Sequence, residues 1–281
     1  MRFAKYQGIG NDFVMLADPG DRITLNPELV RGLTDRRFGV GGDGVIRVAP
    51  GTGGGELVMD YYNSDGSAGE MCGNGIRCLA LFALENGLTA STELAVETIA
   101  GLKVVEVLPG GHVRVDMGPP VFSPSQVPVL VDGADALHTS IDVGGTTVEA
   151  ACLSMGNPHA VLFVDDLEGA PVTTLGPALE NHDLFPNKTN VEFVRVESPE
   201  LIRMAVWERG SGATLACGTG ACAAAVAAHL LRDTKDRVRV ELPGGELEIE
   251  WPGSLEEPGA VMMTGPAEKS FEGELDLGRF L

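Results

Sequence analysis

Two cysteines of this sequence stand before the same glycine pattern. Cys72 lies in EMCGNGIRC and Cys217 in LACGTGACA, and an apolar run of helical character follows each. The first turn of a helix leaves backbone N–H groups unpaired, and such groups can hold a carboxylate. The partial positive charge there also makes a thiol easier to ionise than at its free pKa of about 8.5. The sequence therefore predicts two acid–base thiols, each beside a place for a carboxylate.

A pair of thiols suits the inversion of a carbon next to a carboxylate. One thiolate removes the proton from one face, and the other thiol returns a proton to the opposite face. Amides that are already oriented toward the carboxylate stabilise the negative charge that develops on it. The two thiols exchange roles when the reaction runs backwards. We expect the two helix starts to face one another across a cleft.

Other uses of cysteine and glycine fit the spacing poorly. A zinc site would need a short two-residue spacer or a histidine cluster, and a disulfide-exchange site would need C-x-x-C. We therefore predict no metal site and assign the remaining cysteines to packing: Cys78, Cys152 and Cys222. A literal G-x-G-x-x-G runs from Gly39 to Gly44, but the strand-like VIRVA follows it. A dinucleotide fingerprint requires a helix at that point, so this interpretation fails.

The spacing of the cysteines recurs elsewhere, which indicates an internal duplication. Cys72 and Cys217 are 145 residues apart, and the Gly-Asn pairs of GIGNDFV and MGNPHAV are 146 apart. VETIAGLKVVEV from Val96 aligns with VELPGGELEIEW from Val240, and both halves end in Gly-Pro. Several matches in the same order favour a repeat over chance.

The repeat predicts two similar halves of α+β class. Runs rich in β-branched residues predict strands in both halves, and one helix follows each Cys-Gly-x-Gly, at 76–86 and 221–232. We predict a first domain at 1–118 and a second at 119–265. By symmetry, the tail at 266–281 should return to the first domain.

Composition narrows the function classes. The 281 residues are 44% hydrophobic and 21% charged, which is typical of a soluble globular protein. A net charge of −20 argues against nucleic acid or an anionic membrane as a partner. The opening MRFAKYQGIGND does not look like a signal peptide, and five cysteines suggest reduced thiols. We therefore expect a cytoplasmic location.

Four segments resemble the diaminopimelate epimerase family: NSDGSAGEMCGNGIRC at 63–78, ERGSGATLACGTGACA at 208–223, GIGNDFV and MGNPHAV. The resemblance implies a cofactor-independent isomerase that interconverts LL- and meso-2,6-diaminopimelate in lysine and peptidoglycan precursor biosynthesis. It also implies two pseudo-symmetric domains, each a mainly antiparallel sheet curled around a central helix, with the active site between them. Members of the family are expected to be homodimers.

The resemblance also implies roles for individual residues. Cys72 and Cys217 match the catalytic base and acid, and His159 and Glu208 match residues that orient the substrate and assist thiol ionisation. A further set matches positions that hold the charged groups of the substrate: Asn11, Asn63, Asn157, Asn190 and Arg209. Backbone amides are expected to hold the carboxylate at the reacting centre: those of Gly73, Asn74, Gly218 and Thr219.

One residue departs from the pattern of the family, and two other functions also fit the sequence. Many family members carry Gln where this chain has Gly44, so a side-chain contact with the substrate is absent there. The first rival is a racemase of another amino acid; proline, for example, has no second charged end for Arg209 and Asn190. The second rival is a metabolite-binding protein that has kept the fold, although simple binding requires neither thiol.

Overall fold

The computed structural model describes residues 1–276, which form two compact units. The first unit comprises Met1–Asp116 and the described residues from Thr264 onward, and the second comprises Met117–Met263. Residues 277–281, the end of the predicted tail, lie outside the described residues. No helix of the described part of the chain is long and apolar enough to span a membrane.

The first unit is a sheet wrapped around one helix. Its elements are β1 (Arg2–Gly8), β2 (Asn11–Ala17), α1 (Pro27–Thr34), β3 (Gly44–Pro50), β4 (Leu57–Asn63), α2 (Gly73–Glu85), β5 (Glu93–Thr98), β6 (Gly101–Val107) and β7 (His112–Asp116). Neighbouring strands pair in chain order; β2–β3 and β4–β5 are parallel and the other pairs antiparallel. Helix α2 contacts strands from both ends of this series, so the sheet must curl around it.

The second unit repeats this plan. Its elements are β8 (Ala136–Val143), β9 (Thr146–Ser154), β10 (Pro158–Phe163), α3 (Val172–Glu180), β11 (Asn190–Ser198), β12 (Leu201–Glu208), β13 (Gly212–Thr214), α4 (Gly218–Arg232), β14 (Arg237–Leu242) and β15 (Gly245–Glu250). The β10–β11 and β12–β14 pairs are parallel, whereas β9–β10, β11–β12 and β14–β15 are antiparallel. Helix α4 contacts β9, β10, β11, β12, β14 and β15.

Strand registers match between the units. Phe13 pairs with Gly44 in the first unit, and His159 pairs with Asn190 in the second, 146 residues later in both strands. The predicted α+β class with duplicated, mainly antiparallel sheets around central helices is confirmed.

Both central helices begin earlier than the predicted apolar runs at 76 and 221. Cys72 and Cys217 are the N-cap residues, so α2 starts at Gly73 and α4 at Gly218. The first turns contain glycines and were not visible as apolar periodicity. Almost every residue of α4 from Gly218 to Ala228 is buried, because its small Ala side chains let the strands approach closely.

The described part of the tail pairs with the start of the chain. After β16 (Met262–Pro266), strand β17 (Glu268–Glu274) runs antiparallel to β1, with Arg2 opposite Glu274. The N–H of Leu275 donates to the carbonyl of Met1 at 2.8 Å. This strand therefore extends the sheet of the first unit beyond β1.

Candidate functional site

Cys72 caps the central helix of the first unit. Its sulfur accepts a hydrogen bond from the N–H of Gly75 at 3.4 Å, as a serine oxygen would at an N-cap. Cys72 is half-buried, while Gly73 and Asn74 in the first helical turn are buried. An added Cβ at Gly75 would lie 2.8 Å from Cδ1 of Ile46, so only glycine fits there without movement. The second glycine of the motif thus lets α2 pack against β3.

Asn11 links this thiol to a charged network. The Cys72 thiol donates to Oδ1 of Asn11 at 3.6 Å, and Nδ2 of Asn74 donates to the same oxygen at 3.2 Å. On the other side, Nδ2 of Asn11 donates to Oδ2 of Asp43 at 2.7 Å. Arg36 bridges the carboxylates of Asp43 and Asp12. Asp43 therefore orients the Asn11 amide with its oxygen toward the thiol.

Asn63 lies at the end of β4 and makes separate contacts. Its Oδ1 accepts from the hydroxyl of Tyr61 at 2.5 Å, and its Nδ2 donates to Oγ of Ser67 at 3.1 Å. Gly44, the departure from the family pattern, lies beside this strand. An added Cβ at Gly44 would lie 2.5 Å from the carbonyl oxygen of Tyr62, so this backbone has no room for a side chain there.

Cys217 caps the central helix of the second unit in the same way. Its sulfur accepts from the N–H of Gly220 at 3.3 Å and lies 3.5 Å from Oγ1 of Thr219. Unlike Cys72, it is buried. Burial raises the pKa of Cys217 well above its usual value, and the carboxyls of Glu208 and Glu192 raise it further. The expectation that a helix start eases ionisation is therefore wrong for this thiol, because desolvation outweighs the contacts that lower its pKa.

His159 is enclosed by two polar partners in the same unit. Its Nδ1 lies 2.7 Å from Oε1 of Glu192, and its Nε2 lies 2.9 Å from Oδ1 of Asn157. Both members of the His159–Glu192 pair are fully buried. His159 is the second residue of β10, and Asn157 lies in the turn between β9 and β10, so the two side chains meet there.

Glu208 lies at the end of β12, next to Cys217. Its Oε1 accepts a hydrogen bond from the hydroxyl of Thr214, and its carboxyl also accepts a hydrogen bond from the thiol of Cys217. Burial raises the pKa of Glu208, partly offset by those two hydrogen bonds. A carboxyl that is easier to protonate beside a thiol is suited to passing a proton.

Asn190 and Arg209 are joined through the backbone. Oδ1 of Asn190 accepts from the N–H of Arg209 at 2.9 Å, and its Nδ2 donates to the carbonyl of Pro158 at 2.9 Å. The Arg209 side chain is exposed and donates to the carbonyl of Asn187 at 3.2 Å. Asn190 is thus a fixed amide, whereas the Arg209 guanidinium can reorient.

The sequence reasoning missed Asp43 and Glu192. Glu192 contacts His159 from the neighbouring strand, and Asp43, in the loop before β3, contacts Asn11 at the start of β2. Glu192 could have been found from the sequence, because the duplication aligns it with Ile46 of the first half. A carboxylate where the repeat has an apolar residue is unusual. Asp43 had none beyond its place in a glycine-rich loop.

The family model described as diaminopimelate epimerase matches residues 3–123 and 151–270 of this chain. The chain belongs to the diaminopimelate epimerase family. A diaminopimelate epimerase of Moorella thermoacetica is 49% identical over 282 residues, which cover 99% of this chain and 100% of that protein. One from Leptospira biflexa is 44% identical over 283 residues, covering 99% of each chain.

Solved structures extend the likeness of fold beyond the diaminopimelate epimerase family. A phenazine biosynthesis protein of the PhzF family from Bacillus anthracis matches with a TM-score of 0.71 at 17% identity. The match covers 98% of this chain and 99% of that one. At this identity the similarity concerns the fold, and the relatives within the family carry the information on activity.

Proposed function

We propose that this protein interconverts LL-2,6-diaminopimelate and meso-diaminopimelate, with Cys72 and Cys217 as its acid–base pair. The observation that supports this most is the repeated N-cap. Each unit has one thiol at the start of its central helix, and a backbone N–H donates to each sulfur. Membership of the diaminopimelate epimerase family specifies the substrate.

The proposed reaction moves one proton off the α-carbon and another onto it. A cysteine thiolate takes the α-proton from one face, and the electron pair of the broken C–H bond spreads into the adjacent carboxylate. The second cysteine then gives its thiol proton to the opposite face, and its sulfur becomes the thiolate. Helix-start amides stabilise the charge on the carboxylate: those of Gly73, Asn74, Gly218 and Thr219. The thiol and thiolate have then exchanged places, so the reverse reaction uses the same groups.

Both ends of diaminopimelate carry an ammonium and a carboxylate, which require acceptors and donors together. We assign these contacts to Asn11, Asn63, Asn157, Asn190 and Arg209. Arg209 can grip the distal carboxylate with two parallel N–H donors. Glu208 and His159 serve the reacting end, where they orient the substrate and exchange protons with Cys217.

We also propose that the enzyme is a cytoplasmic homodimer that needs no added cofactor and serves lysine biosynthesis. The resemblance to the family supports each of these points. The five cysteines, all within the described residues, are not joined in disulfides, which accords with a reducing compartment.

Solvent-exchange measurements test the substrate and the reaction together. Under reducing conditions and with no added cofactor, we expect the protein to move solvent deuterium onto the α-carbon of LL-diaminopimelate. L-Lysine, which lacks the second carboxylate, is a matched control and should exchange far more slowly. Exchange with proline but not with diaminopimelate would favour the rival racemase. Binding of diaminopimelate with no exchange would favour the metabolite-binding protein.

A further inference from the structure

The duplication reveals a polar substitution in the core of the second unit. Phe13 and Ile46 lie on adjacent parallel strands of the first unit and are fully buried. The same places, 146 residues later, hold His159 and Glu192, which are also fully buried. The first unit shows that an apolar pair satisfies the packing of this fold. Packing alone therefore gives no reason for a histidine and a carboxylate in the second.

Glu192 occupies the space between His159 and the start of α4. An added Cβ at Gly220 would lie 2.7 Å from Oε1 of Glu192 and 3.2 Å from Sγ of Cys217. In the first unit, an added Cβ at the equivalent Gly75 would lie 2.8 Å from Cδ1 of Ile46. The carboxylate thus faces the same helix turn as its apolar counterpart, but beside the thiol.

Keeping a carboxylate at this place is costly. Burying an ionised group disfavours folding unless a partner compensates it. Oε1 of Glu192 has His159 as that partner, while Oε2 is buried and has no hydrogen-bond partner among the described residues. A residue retained at such a cost, where Ile would fit, is a candidate for a role in the reaction.

We propose that Glu192 is a positioning residue: its carboxylate keeps a proton on Nδ1 of His159 and so fixes the ring that holds Asn157. The inference rests on the proposed function, because it gives His159 its orientation for that reaction. The proton on one ring nitrogen of a histidine is set by the partner of that nitrogen, and a carboxylate oxygen only accepts. Nε2 of the neutral ring is then an acceptor, and the side-chain amide of Asn157, whose oxygen lies 2.9 Å away, pairs with it by turning its Nδ2 toward the ring.

Charged groups around Glu192 agree with this role. Cys217 and Glu208 face it from the start of α4 and from β12, and its negative charge raises the pKa of both. His159 faces it from β10. A loss of Glu192 therefore changes the hydrogen bonding of His159 and the charge beside Cys217 together.

The matched variant is Glu192→Ile, which restores the residue of the first unit. We expect kcat for diaminopimelate to fall by about 10- to 100-fold, the range seen when a partner that orients a metal-ligating histidine is removed, while KM changes by less than about threefold. Imidazole ¹⁵N spectra should show a protonated Nδ1 of His159 in the wild type and its loss in the variant. Glu192→Gln, which keeps an oxygen acceptor, should recover part of kcat.

Two controls separate this role from a loss of folded protein. Circular dichroism gives the folded fraction of each variant, and Asp18→Asn removes another buried carboxylate, which bonds to Arg47 at the far end of β2 from Asn11. Asp18→Asn should leave the ¹⁵N signature of His159 unchanged. An unchanged Nδ1 signal in folded Glu192→Ile, or wild-type kcat, would overturn the proposal. The spectra need no turnover, so they test Glu192 even if the wild type does not act on diaminopimelate.

Discussion

Adding a methyl group at Gly220 should displace the sulfur of Cys217 in the second unit. The new Cβ would lie 2.7 Å from Oε1 of Glu192, which is tied to His159, and 3.2 Å from Sγ of Cys217. Overpacking of this kind costs about 1–3 kcal/mol, and Ala gains about 1 kcal/mol over Gly within a helix. The net loss of stability for Gly220→Ala should therefore not exceed about 2 kcal/mol. The loss of kcat should be larger, about 100-fold, because misplacement by about 1 Å has that effect.

Gly75→Ala is the matched change in the first unit. Its Cβ would meet Cδ1 of Ile46 at 2.8 Å and Cε of Met59 at 3.0 Å, which are ends of flexible apolar side chains. These atoms can rotate away without breaking a hydrogen bond. We expect a similar effect on stability, but a loss of kcat below about 10-fold, since the sulfur is less displaced.

The assay compares kcat of both alanine variants with their thermal midpoints. Our reasoning requires Gly220→Ala to lose much more activity than its change in stability explains, and more than Gly75→Ala. Equal losses of kcat in the two variants would refute it. So would wild-type kcat in Gly220→Ala, because the sulfur would then tolerate the added methyl group.

Three further predictions concern the thiols and the Asn11 network. Asp43→Ala frees the Asn11 amide, so KM for diaminopimelate should rise by about 10-fold in steady-state kinetics, from the loss of one fixed contact; an unchanged KM would exclude the orienting role. Iodoacetamide at neutral pH should label Cys72 faster than Cys217, because burial raises the pKa of Cys217; peptide mass spectrometry after short exposures would show a reversed order if this is wrong. Burial also raises the pKa of Cys152 to about 12. Below the unfolded thiol pKa of about 8.5, Cys152 is protonated in both states and its contribution to stability is complete. Above that pH the thiol ionises in the unfolded chain but not in the folded protein, so the free energy of unfolding falls, by at most about 2 kcal/mol at pH 10. In urea unfolding, the free energy of unfolding of Cys152→Ala should decrease less from pH 8 to pH 10 than that of the wild type. An equal decrease in both would contradict the assignment of this pH dependence to Cys152.

The two helices that follow Cys-Gly-x-Gly could be predicted from sequence, although not their first residues, because their signals are local. A Cys-Gly-x-Gly before an apolar run contains the N-cap and the first turn, whose contacts span three residues. The strand at VIRVA, which excluded a dinucleotide site, is likewise visible in its own residues and is now β3. The recurring offset of 144 to 146 residues is also visible in the sequence itself, and it predicted two similar units.

The polar contacts around the thiols could not be predicted in this way. Asp43 contacts Asn11 across 32 residues and Glu192 contacts His159 across 33, through the pairing of parallel strands. The ionisation of Cys217 was expected in the wrong direction for the same reason. The helix start is local, whereas the burial and the two carboxyls that raise its pKa come from distant parts of the chain.

The central claim is that both cysteines are needed to invert one carbon. The most direct measurement follows net conversion of LL- to meso-diaminopimelate in Cys72→Ala and Cys217→Ala, with Cys78→Ala as a control for the loss of a buried thiol. We predict that net conversion is nearly abolished in each of the first two variants and retained in folded Cys78→Ala. Wild-type conversion by either Cys72→Ala or Cys217→Ala would contradict the two-thiol mechanism.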